Sequence, residues 1–401
     1  MATIETSTQA AAKRWASEYP ELGSEPIPVE PLVSPRYFEL EKERLFKRVW
    51  LNVGHLASDC PSPGEYFVKE IEACDASVLV IHGRDGKVRA FHNVCSHRGN
   101  RLVYEQRGKA KNYLTCNFHG WTYDLEGRLA GVMDEGGFAD LDKPCLGLTP
   151  LATDTWKGLI FVNFDPEPAE TLASYLGPLI AEFEDRPLER VQRMWHYQVV
   201  EDANWKVAMD AQNELYHLPI LGPVHAAVAD LYTMSEEGYA RFTTFKRFGP
   251  LHTLWGTAQN PEFEPSGLMA LLFAKAPPPK LEMPTRGGIF DYYVLFPNTV
   301  LVLLADQVVH YNFWPEAHDR VRWDIFQYVV EPETAAELWY AHYWKAKIRD
   351  VVSEDIASHE MVHAGLAQRA KRTFVLQDEE IQIRNFHKAV HSYVDPAEVG
   401  A

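Results

Sequence analysis

Residues 95–102 have the sequence CSHRGNRL, and residues 116–121 have the sequence CNFHGW. The two stretches form a matched pair, because each holds one cysteine and one histidine close together. Two cysteines and two histidines can build a structural zinc site. Zinc fingers, however, usually group like with like, with Cys-x-x-Cys first and a histidine pair later. The mixed grouping in each stretch therefore disfavours zinc.

The same residues suit a [2Fe–2S] cluster of the Rieske type, in which two cysteines hold one iron and two histidines hold the other. Imidazole donates less negative charge than thiolate, so such a cluster has a higher reduction potential than an all-cysteine cluster. It can then accept electrons from ordinary reductases. The predicted cluster ligands are Cys95, His97, Cys116 and His119.

The composition is that of an ordinary globular protein with an acidic surface. Hydrophobic residues make up 46% of the 401 positions and charged residues 24%, and the formal net charge is −17. This charge argues against nucleic acid as a partner. No apolar run approaches membrane-spanning length, and the N-terminus, MATIETSTQAAAKRW, lacks the apolar core of a secretory signal. We therefore expect no membrane contact and a cytoplasmic location.

The cysteine count agrees with a reducing compartment. Five cysteines are present, and the predicted cluster takes two of them. The other three, Cys60, Cys74 and Cys145, are most simply free, buried thiols.

The hydrophobic pattern changes along the chain. Residues 50–165 predict a small all-β domain, with a hairpin in 76–94 that turns at Asp85-Gly86. Residues 170–185 predict a helix. Beyond them, residues 288–332 predict a run of antiparallel strands, and residues 333–368 predict a long helix.

A second metal site is expected, because a Rieske cluster only transfers single electrons and a chain of this length should use them. Residues 204–225, NWKVAMDAQNELYHLPILGPVH, contain Glu214, His217 and His225. Two histidines and one carboxylate on one face of a metal leave positions open for O₂ and substrate, as in non-haem Fe(II) oxygenases. The stretch therefore predicts a mononuclear Fe(II) site.

With these motifs, the chain resembles the α (oxygenase) subunit of Rieske non-haem iron oxygenases, the aromatic ring-hydroxylating family. The resemblance covers most of the chain. It is carried by FKRVW (46–50), CSHRGNRL (95–102), CNFHGW (116–121), NWK (204–206), YH (216–217) and FPNTVLV (296–302).

The resemblance implies an α+β fold with two parts. The first is a small all-β Rieske [2Fe–2S] domain, and the second is a helix-grip (START-like) catalytic domain with an antiparallel sheet. We expect residues 1–49 to form an N-terminal segment and helix that pack on the catalytic domain. Residues 50–165 are then the Rieske domain, and residues 166–401 the catalytic domain with the mononuclear iron.

The resemblance also implies the iron ligands. His217 matches the first histidine of the family, and His225 is the best candidate for the second. Two acids, Asp355 and Asp378, compete for the third position. The family pattern is Asp, four residues, Glu, two residues, Gln, one residue, Gly-Leu. Residues 354–366, EDIASHEMVHAGL, fit it with a histidine in place of glutamine, so Asp355 is favoured.

The histidine spacing departs from the family. Eight positions separate His217 from His225, whereas the second histidine usually follows more closely. Pro219 and Pro223 lie between them, so this segment cannot form one regular helix.

The acid three residues before the first histidine is also unusual. It is commonly Asp, and here it is Glu214, which is one methylene longer. In the family this acid bonds an iron histidine of one subunit and a Rieske histidine of the neighbouring subunit. The resemblance assigns that bridging role to Glu214, between His217 and His119.

Residues 359–363, HEMVH, match the H-E-x-x-H motif of zinc metalloproteases. No G-x-x-H extension follows, and the family pattern already accounts for Glu360. We therefore rank protease chemistry well below oxygenase chemistry.

The expected function is that of a terminal oxygenase, which hydroxylates a small, aromatic substrate with O₂. Electrons come from NAD(P)H through a separate reductase, with or without a ferredoxin, because the chain has no Gly-rich dinucleotide motif after a strand. The family implies a homotrimer, and a β subunit is an open question.

One alternative function is oxidative N- or O-dealkylation of an amine, ether or quaternary ammonium compound. The other is an electron carrier that holds only the cluster.

Overall fold

The computed structural model describes residues 14–394 except 233–240, 256–259, 261, 265, 266, 277–279, 282, 284, 287–289 and 305. The chain divides into two compact units. The β unit comprises Lys42–Tyr175 and Leu188–Gln192, and the α+β unit comprises Met1–Glu41, Leu176–Pro187 and Arg193–Ala401. The domain boundaries 1–49, 50–165 and 166–401 stay a prediction, and their residues 1–13 and 395–401 lie outside the described part.

The β unit contains two antiparallel sheets. One has seven strands, in the spatial order Leu51–His55, Leu159–Asn163, Pro150–Trp156, Val88–His92, Ala76–His82, Glu65–Ile71 and Arg107–Lys109. The other has three strands, Tyr113–Thr115, Thr122–Asp124 and Leu129–Gly131. Short helices of this unit are Lys42–Phe46, Leu56–Asp59, Glu72–Cys74, Glu135–Gly137, Lys143–Leu146 and Leu188–Arg190.

The predicted hairpin in 76–94 is present, with Val78 paired to His92. Its turn depends on Gly86, whose φ of +78° is a conformation that favours glycine. The aspartate before it stabilises the same turn, since Asp85 Oδ1 accepts a hydrogen bond of 3.1 Å from Lys87 N.

The α+β unit is built on a seven-stranded sheet. Its spatial order is Gln192–Glu201, Arg320–Val329, Gln307–Ala317, Thr299–Leu303, Asp291–Leu295, Leu251–Trp255 and Thr244–Phe248. From Arg320–Val329 to Thr244–Phe248 every neighbouring pair is antiparallel. A two-stranded ladder pairs Ile27–Pro28 with Thr373–Phe374. The predicted α+β fold with an antiparallel sheet is confirmed.

The α+β unit also contains helices. Their bounds are Arg14–Glu18, Pro20–Leu22, Glu30–Val33, Pro35–Glu41, Gly177–Phe183, Trp205–Ala211, Pro223–Ala229, Gly267–Lys275, Ala335–Ala367, Asp378–Glu380 and Ile381–Val394. A further helix, Leu172–Leu176, runs across the boundary of the two units. The long helix Ala335–Ala367 starts at a capping box, in which Thr334 and Glu337 each accept a 3.2 Å bond from the other's backbone N–H.

Two local expectations need correction. The predicted helix over 170–185 is α-helical only in Leu172–Leu176 and continues as the 3₁₀-helix Gly177–Phe183. The change falls at Gly177-Pro178, where the proline has no N–H to continue the α-helical bonds. The expectation that Cys145 is buried is wrong, because the residue is exposed, whereas Cys60 and Cys74 are buried.

Among the helices in the described part of the chain, none combines the length and apolarity that a membrane crossing requires.

Candidate metal centres

The two cysteine–histidine loops have the same backbone conformation. In each loop the cysteine N–H, of Cys95 or Cys116, donates a 2.8 Å hydrogen bond to the carbonyl oxygen five residues later. The glycine four residues after each cysteine, Gly99 or Gly120, donates back to the cysteine carbonyl at 3.0 Å. Their φ angles are +75° and +71°, which explains why glycine stands at both positions. The sequence repeat is therefore also a structural repeat.

The loops bring their two imidazoles side by side. The ring centroids of His97 and His119 are 4.6 Å apart. Trp121 stacks on His97 at 4.8 Å and fixes the plane of that ring. His97 Nδ1 is buried and has no hydrogen-bond partner among the described residues. A buried nitrogen without a partner is costly, and a bound metal would remove that cost.

The two thiols are buried, each 2% exposed, and each meets a polar side chain. Cys95 Sγ lies 3.2 Å from Tyr123 Oη, and Asn100 Nδ2 donates to Cys116 Sγ at 3.5 Å. Burial raises the pKa of the Cys116 thiol, but the Phe118 N–H and the Asn100 amide outweigh it and leave that pKa below its usual value. A thiolate at Cys116 is the form that binds iron. The donor set therefore fits a Rieske cluster.

The longer histidine spacing in the second site has a structural cause. The helix Trp205–Ala211 ends before Glu214, and irregular turns follow it. A new helix, Pro223–Ala229, starts with its proline at the first position, where no N–H is needed. His225 is the third residue of this new helix and returns to His217, with the two ring centroids 5.1 Å apart.

The long helix supplies the third group. It packs against both short helices, and its Asp355 is 3% exposed. Asp355 Oδ1 lies 3.1 Å from His225 Nε2 and 3.8 Å from His217 Nε2. One ligand atom of each of the three residues lies within 4.8 Å of the others.

The geometry of these atoms fits a metal better than an ordinary hydrogen-bond network. Asp355 Oδ1 is buried and makes no hydrogen bond to any described residue, although His225 is close. Each histidine instead forms a hydrogen bond from Nδ1 to a carboxylate. Both Nε2 atoms are therefore left facing the space between the two rings and Asp355. Metal-binding histidines usually donate their second ring N–H in this way. Two neutral histidines and one carboxylate are the donors of non-haem Fe(II) sites.

The carboxylates behind the histidines are Glu214 and Glu354. His217 Nδ1 bonds Glu214 Oε1, which is the acid that the sequence singled out. His225 Nδ1 donates to Glu354 Oε2 at 2.7 Å. Burial raises the pKa of Glu354, but the N–H groups of Val224 and His225 outweigh it and keep that pKa below its usual value.

Sequence reasoning missed Glu354, although it directly precedes Asp355. It also missed Gln212, whose Nε2 donates to Asp355 Oδ2 at 3.3 Å. Tyr292 in turn donates to Gln212 Oε1 at 3.1 Å. Glu354 could have been found from its place beside the candidate ligand Asp355, whereas no pattern in the sequence connects Gln212 with Tyr292.

The histidine pKa values reflect these acids. Burial lowers the pKa of both His217 and His225, but nearby carboxylates outweigh burial and raise both pKa values above the usual range, chiefly Glu214 at His217 and Asp355, followed by Glu354, at His225. Metal binding at these rings therefore competes with protons.

Asp378 has a different place. Its two carboxylate oxygens accept hydrogen bonds from Trp15 N at 2.9 Å and Ala16 N at 2.8 Å. These bonds tie the N-terminal helix Arg14–Glu18 to the C-terminal region, so Asp378 serves the fold.

The HEMVH motif of residues 359–363 also has a structural explanation. His359 Nδ1 bonds Glu201 Oε2 at 2.8 Å, and Glu360 accepts a bond from Asp202 N at 3.1 Å. Within the described part of the chain, His217, His225 and Asp355 form the only set of three residues whose ligand atoms could share a metal. The motif therefore lacks the third ligand that a zinc protease needs.

Two cavities reach this site, the first lined by all three residues and the second by His217 and Asp355. The first has a volume of about 1020 Å³, counting its open mouth, and an apolar and aromatic lining with Lys347 on the long helix. The second, of about 850 Å³ with its open mouth included, lies where Glu214, His217 and Asp355 meet Asp210 and Glu380. The site is thus reachable from two sides, and Glu214 borders both cavities.

Comparison with protein families agrees with this geometry. Residues 188–396 match the ring hydroxylating alpha subunit (catalytic domain), and residues 50–140 match the Rieske [2Fe–2S] domain. The chain therefore belongs to the family of ring-hydroxylating oxygenase α subunits. A Rieske [2Fe–2S] cluster and a mononuclear iron are the cofactors of these two domains.

Curated relatives include both monooxygenases and a dioxygenase. The chain is 32% identical over 203 residues to the carnitine monooxygenase oxygenase subunit of Acinetobacter pittii, covering 49% of this chain and 52% of that protein. It is 35% identical over 189 residues to the glycine betaine monooxygenase oxygenase subunit of Chromohalobacter salexigens, covering 46% and 40%. It is 38% identical over 184 residues to the 2-aminobenzenesulfonate 2,3-dioxygenase subunit alpha of Alcaligenes sp., covering 45% of each. The chain spans about half the length of the curated relatives it matches.

Solved structures share the fold over nearly the whole chain. A quaternary ammonium Rieske monooxygenase superposes with a TM-score of 0.75 at 23% identity, covering 92% of this chain and 95% of that one. Naphthalene 1,2-dioxygenase from Rhodococcus sp. superposes with a TM-score of 0.73 at 20% identity, covering 98% and 99%.

Proposed function

We propose that this protein is the terminal oxygenase component of a multicomponent Rieske oxygenase. Cys95, His97, Cys116 and His119 hold the cluster, and His217, His225 and Asp355 hold the iron. The observation that carries the proposal is Asp355 Oδ1, a buried oxygen without a hydrogen bond to any described residue, facing two histidine Nε2 atoms. When bound, the cluster supplies single electrons and the mononuclear iron supplies O₂ activation.

The residues around the iron site have distinct tasks. Glu354 and Glu214 hold the two imidazoles by their Nδ1 atoms, so each ring keeps its orientation and presents Nε2. Gln212 holds the second oxygen of Asp355. The apolar lining of the first cavity excludes water from the space beside these groups.

The proposed reaction is oxidative N-dealkylation of a quaternary ammonium or related amine compound. The relatives named as carnitine and glycine betaine monooxygenases support it, as does the cavity, whose lining includes Phe290, Tyr292, Tyr311, Tyr343 and Trp344. Aromatic faces attract quaternary ammonium groups. This reading replaces hydroxylation of an aromatic substrate as the first choice.

The reaction balances as follows. An N-methyl group, O₂, two electrons and two protons give an N-hydroxymethyl group and water. When the nitrogen is quaternary, the N-hydroxymethyl compound then loses formaldehyde and a proton and leaves the tertiary amine. An N-hydroxymethyl amine loses formaldehyde alone, because its hydroxyl proton moves to the nitrogen. Substrates with a longer N-alkyl group release the corresponding aldehyde.

Product analysis tests this function. The loaded enzyme, a reductase and NAD(P)H are supplied with N-methyl compounds, and oxygen uptake and aldehyde are measured together. We expect aldehyde to appear in a one-to-one ratio with the oxygen consumed. Oxygen uptake without aldehyde from any N-methyl compound would contradict the dealkylation reading.

Ring dioxygenation is the second candidate. The relative named as 2-aminobenzenesulfonate 2,3-dioxygenase has the higher identity, 38%, over a similar length. The same cavity accommodates an aromatic ring. A diol product that carries both atoms of ¹⁸O₂ would identify this reaction.

Partners follow from the same proposal. A separate NAD(P)H-dependent reductase, with or without a ferredoxin, supplies the electrons. We propose a homotrimer in which the second cavity, bordered by Glu214, receives the cluster loops of a neighbouring copy. A solved relative of the same fold is described as showing inter-subunit electron transfer. A β subunit and the cytoplasmic location stay open predictions.

A further inference from the structure

The first cavity is lined by residues of opposite charge at two points along the long helix. Tyr343, Lys347, Val351 and Asp355 are four residues apart and all line it, so they form one stripe on a helix face. Asp355 stands at the iron end of the stripe. Lys347 is eight residues earlier, which corresponds to about 12 Å along the helix axis.

Lys347 has no counter-charge. It forms no ion pair with any residue in the described part of the chain, and it lines a cavity whose other members near it are apolar or aromatic. The Lys347 side chain is half-buried, so part of it stays accessible to solvent, and no described carboxylate neutralises its charge. The cavity therefore holds a cation at the end away from the iron site.

A second donor lies one turn away. Trp344 Nε1 is buried and belongs to a side chain that lines the same cavity, and the Tyr340 hydroxyl on the preceding turn lies near it. An indole N–H only donates. Lys347 and Trp344 together therefore present donors and no acceptor, which suits an anionic oxygen and does not suit a second cation.

We propose that this cavity selects substrates that carry a carboxylate or sulfonate, with Lys347 as the residue that binds the anion. The group to be oxidised then lies towards His217, His225 and Asp355, and the anion lies at the opposite end. This inference rests on the proposed oxygenase function and narrows its substrate class to zwitterions and anions. Simple cations such as choline are excluded as substrates, because Lys347 repels them and its own charge would stay unpaired.

Binding measurements test the proposal independently of turnover. Isothermal titration calorimetry on the metal-loaded protein compares glycine betaine with choline, and 2-aminobenzenesulfonate with aniline. Each pair differs mainly in the presence of the anion. We expect at least one anionic member to bind roughly tenfold or more tightly than its counterpart.

Variants assign the preference to one residue. Lys347→Met should weaken binding of the anionic member roughly ten- to a hundredfold, and Lys347→Arg should retain most of it. Lys345→Met is the matched control. Lys345 is on the same helix but lies over the Trp195 ring, with Nζ 5.5 Å from its centroid, and does not line the cavity.

Each outcome decides something. Four results would overturn the proposal. They are equal binding of both members of each pair, a preference that survives in Lys347→Met, equal losses in Lys347→Met and Lys345→Met, and no binding by any of the four compounds. Oxygen uptake separates it from the oxygenase function. Anion-selective binding without oxygen uptake contradicts the oxygenase function and supports the anion site. Equal turnover of choline and glycine betaine supports the oxygenase function and contradicts the anion site.

Discussion

Glu354 accepts a 2.7 Å hydrogen bond from His225 Nδ1, and its neighbour in sequence, Asp355, lies 3.1 Å from Nε2 of the same ring. Consecutive helical residues project in different directions, about 100° apart, so two adjacent carboxylates reach opposite nitrogens of one imidazole. One acid fixes the tautomer of the histidine, and the other faces the space that a metal would fill. This relationship accounts for the position of His225 despite its long spacing from His217.

Removing the acid behind His225 should weaken the iron site. We expect Glu354→Ala to lower iron affinity by about 10- to 100-fold, since the loss of such an outer partner releases the ring orientation. Gly222→Ala should act similarly, because a Cβ there would collide with the Glu354 carboxylate. Iron titration monitors both variants, with Glu360→Ala as a control on the same helix. Unchanged affinity in Glu354→Ala would mean that its bond to His225 is incidental.

The bridging role proposed for Glu214 predicts a different phenotype. Glu214→Gln keeps a hydrogen-bonding side chain beside His217 and removes the negative charge. We expect both metals to remain while turnover nearly stops, because this group orients an imidazole on the path between the two centres. Stopped-flow reduction of the cluster should be normal and its reoxidation slow. Wild-type turnover at equal electron input is the result that excludes the bridge.

The cluster loops could be proposed from the sequence because their chemistry is local. Each loop holds its cysteine, its histidine and its glycine within six residues, so spacing alone specifies the pairing of Cys95 with His97 and of Cys116 with His119. The mononuclear site depends on contacts across more than a hundred residues, between His225 and Asp355. There the family pattern supplied the candidates, and no periodicity could have shown that Glu354 reaches His225.

The roles of residues outside the family motifs were harder to predict from the sequence. The hydrogen bonds that Asp378 accepts from Trp15 and Ala16 join residues more than 350 positions apart, so no local sequence pattern indicates them. Lys347 is one of the two lysines of the long helix, and only the surroundings of each side chain, the cavity for Lys347 and the Trp195 ring for Lys345, distinguish them. The change from α-helix to 3₁₀-helix at Gly177-Pro178 was readable in principle, because a proline ends the α-helical bonding pattern.

A buried histidine outside the metal site should make stability depend on pH. His252 donates through Nε2 to Asn213 at 2.8 Å and accepts at Nδ1 from Asn385 at 3.2 Å. Burial lowers the pKa of His252 to about 3. The unfolded chain takes up a proton near pH 6.5, and the folded chain takes it up only near pH 3. Stability from this group is therefore full above pH 6.5 and falls as the pH decreases towards 3.

The measurement compares urea unfolding of the wild type and His252→Asn between pH 5 and pH 7. We expect the free-energy difference between the two to shrink below pH 6.5, by up to about 1.4 kcal/mol per pH unit. His342→Asn, which changes an exposed histidine of the long helix, serves as the control. A difference that stays constant across this range would show that His252 is protonated in the folded chain or does not titrate on unfolding.

The iron content of purified Asp355→Ala, measured beside the wild type and Asp378→Ala, tests the central claim most directly. The wild type should hold about three irons and two labile sulfides per chain, two irons in the cluster and one at the mononuclear site. Asp355→Ala should retain about two irons and an unchanged Rieske spectrum, because the two centres share no ligand. Asp378→Ala should retain all three, with a loss of stability only. Full iron content in Asp355→Ala, or loss of the third iron in Asp378→Ala, would contradict the account.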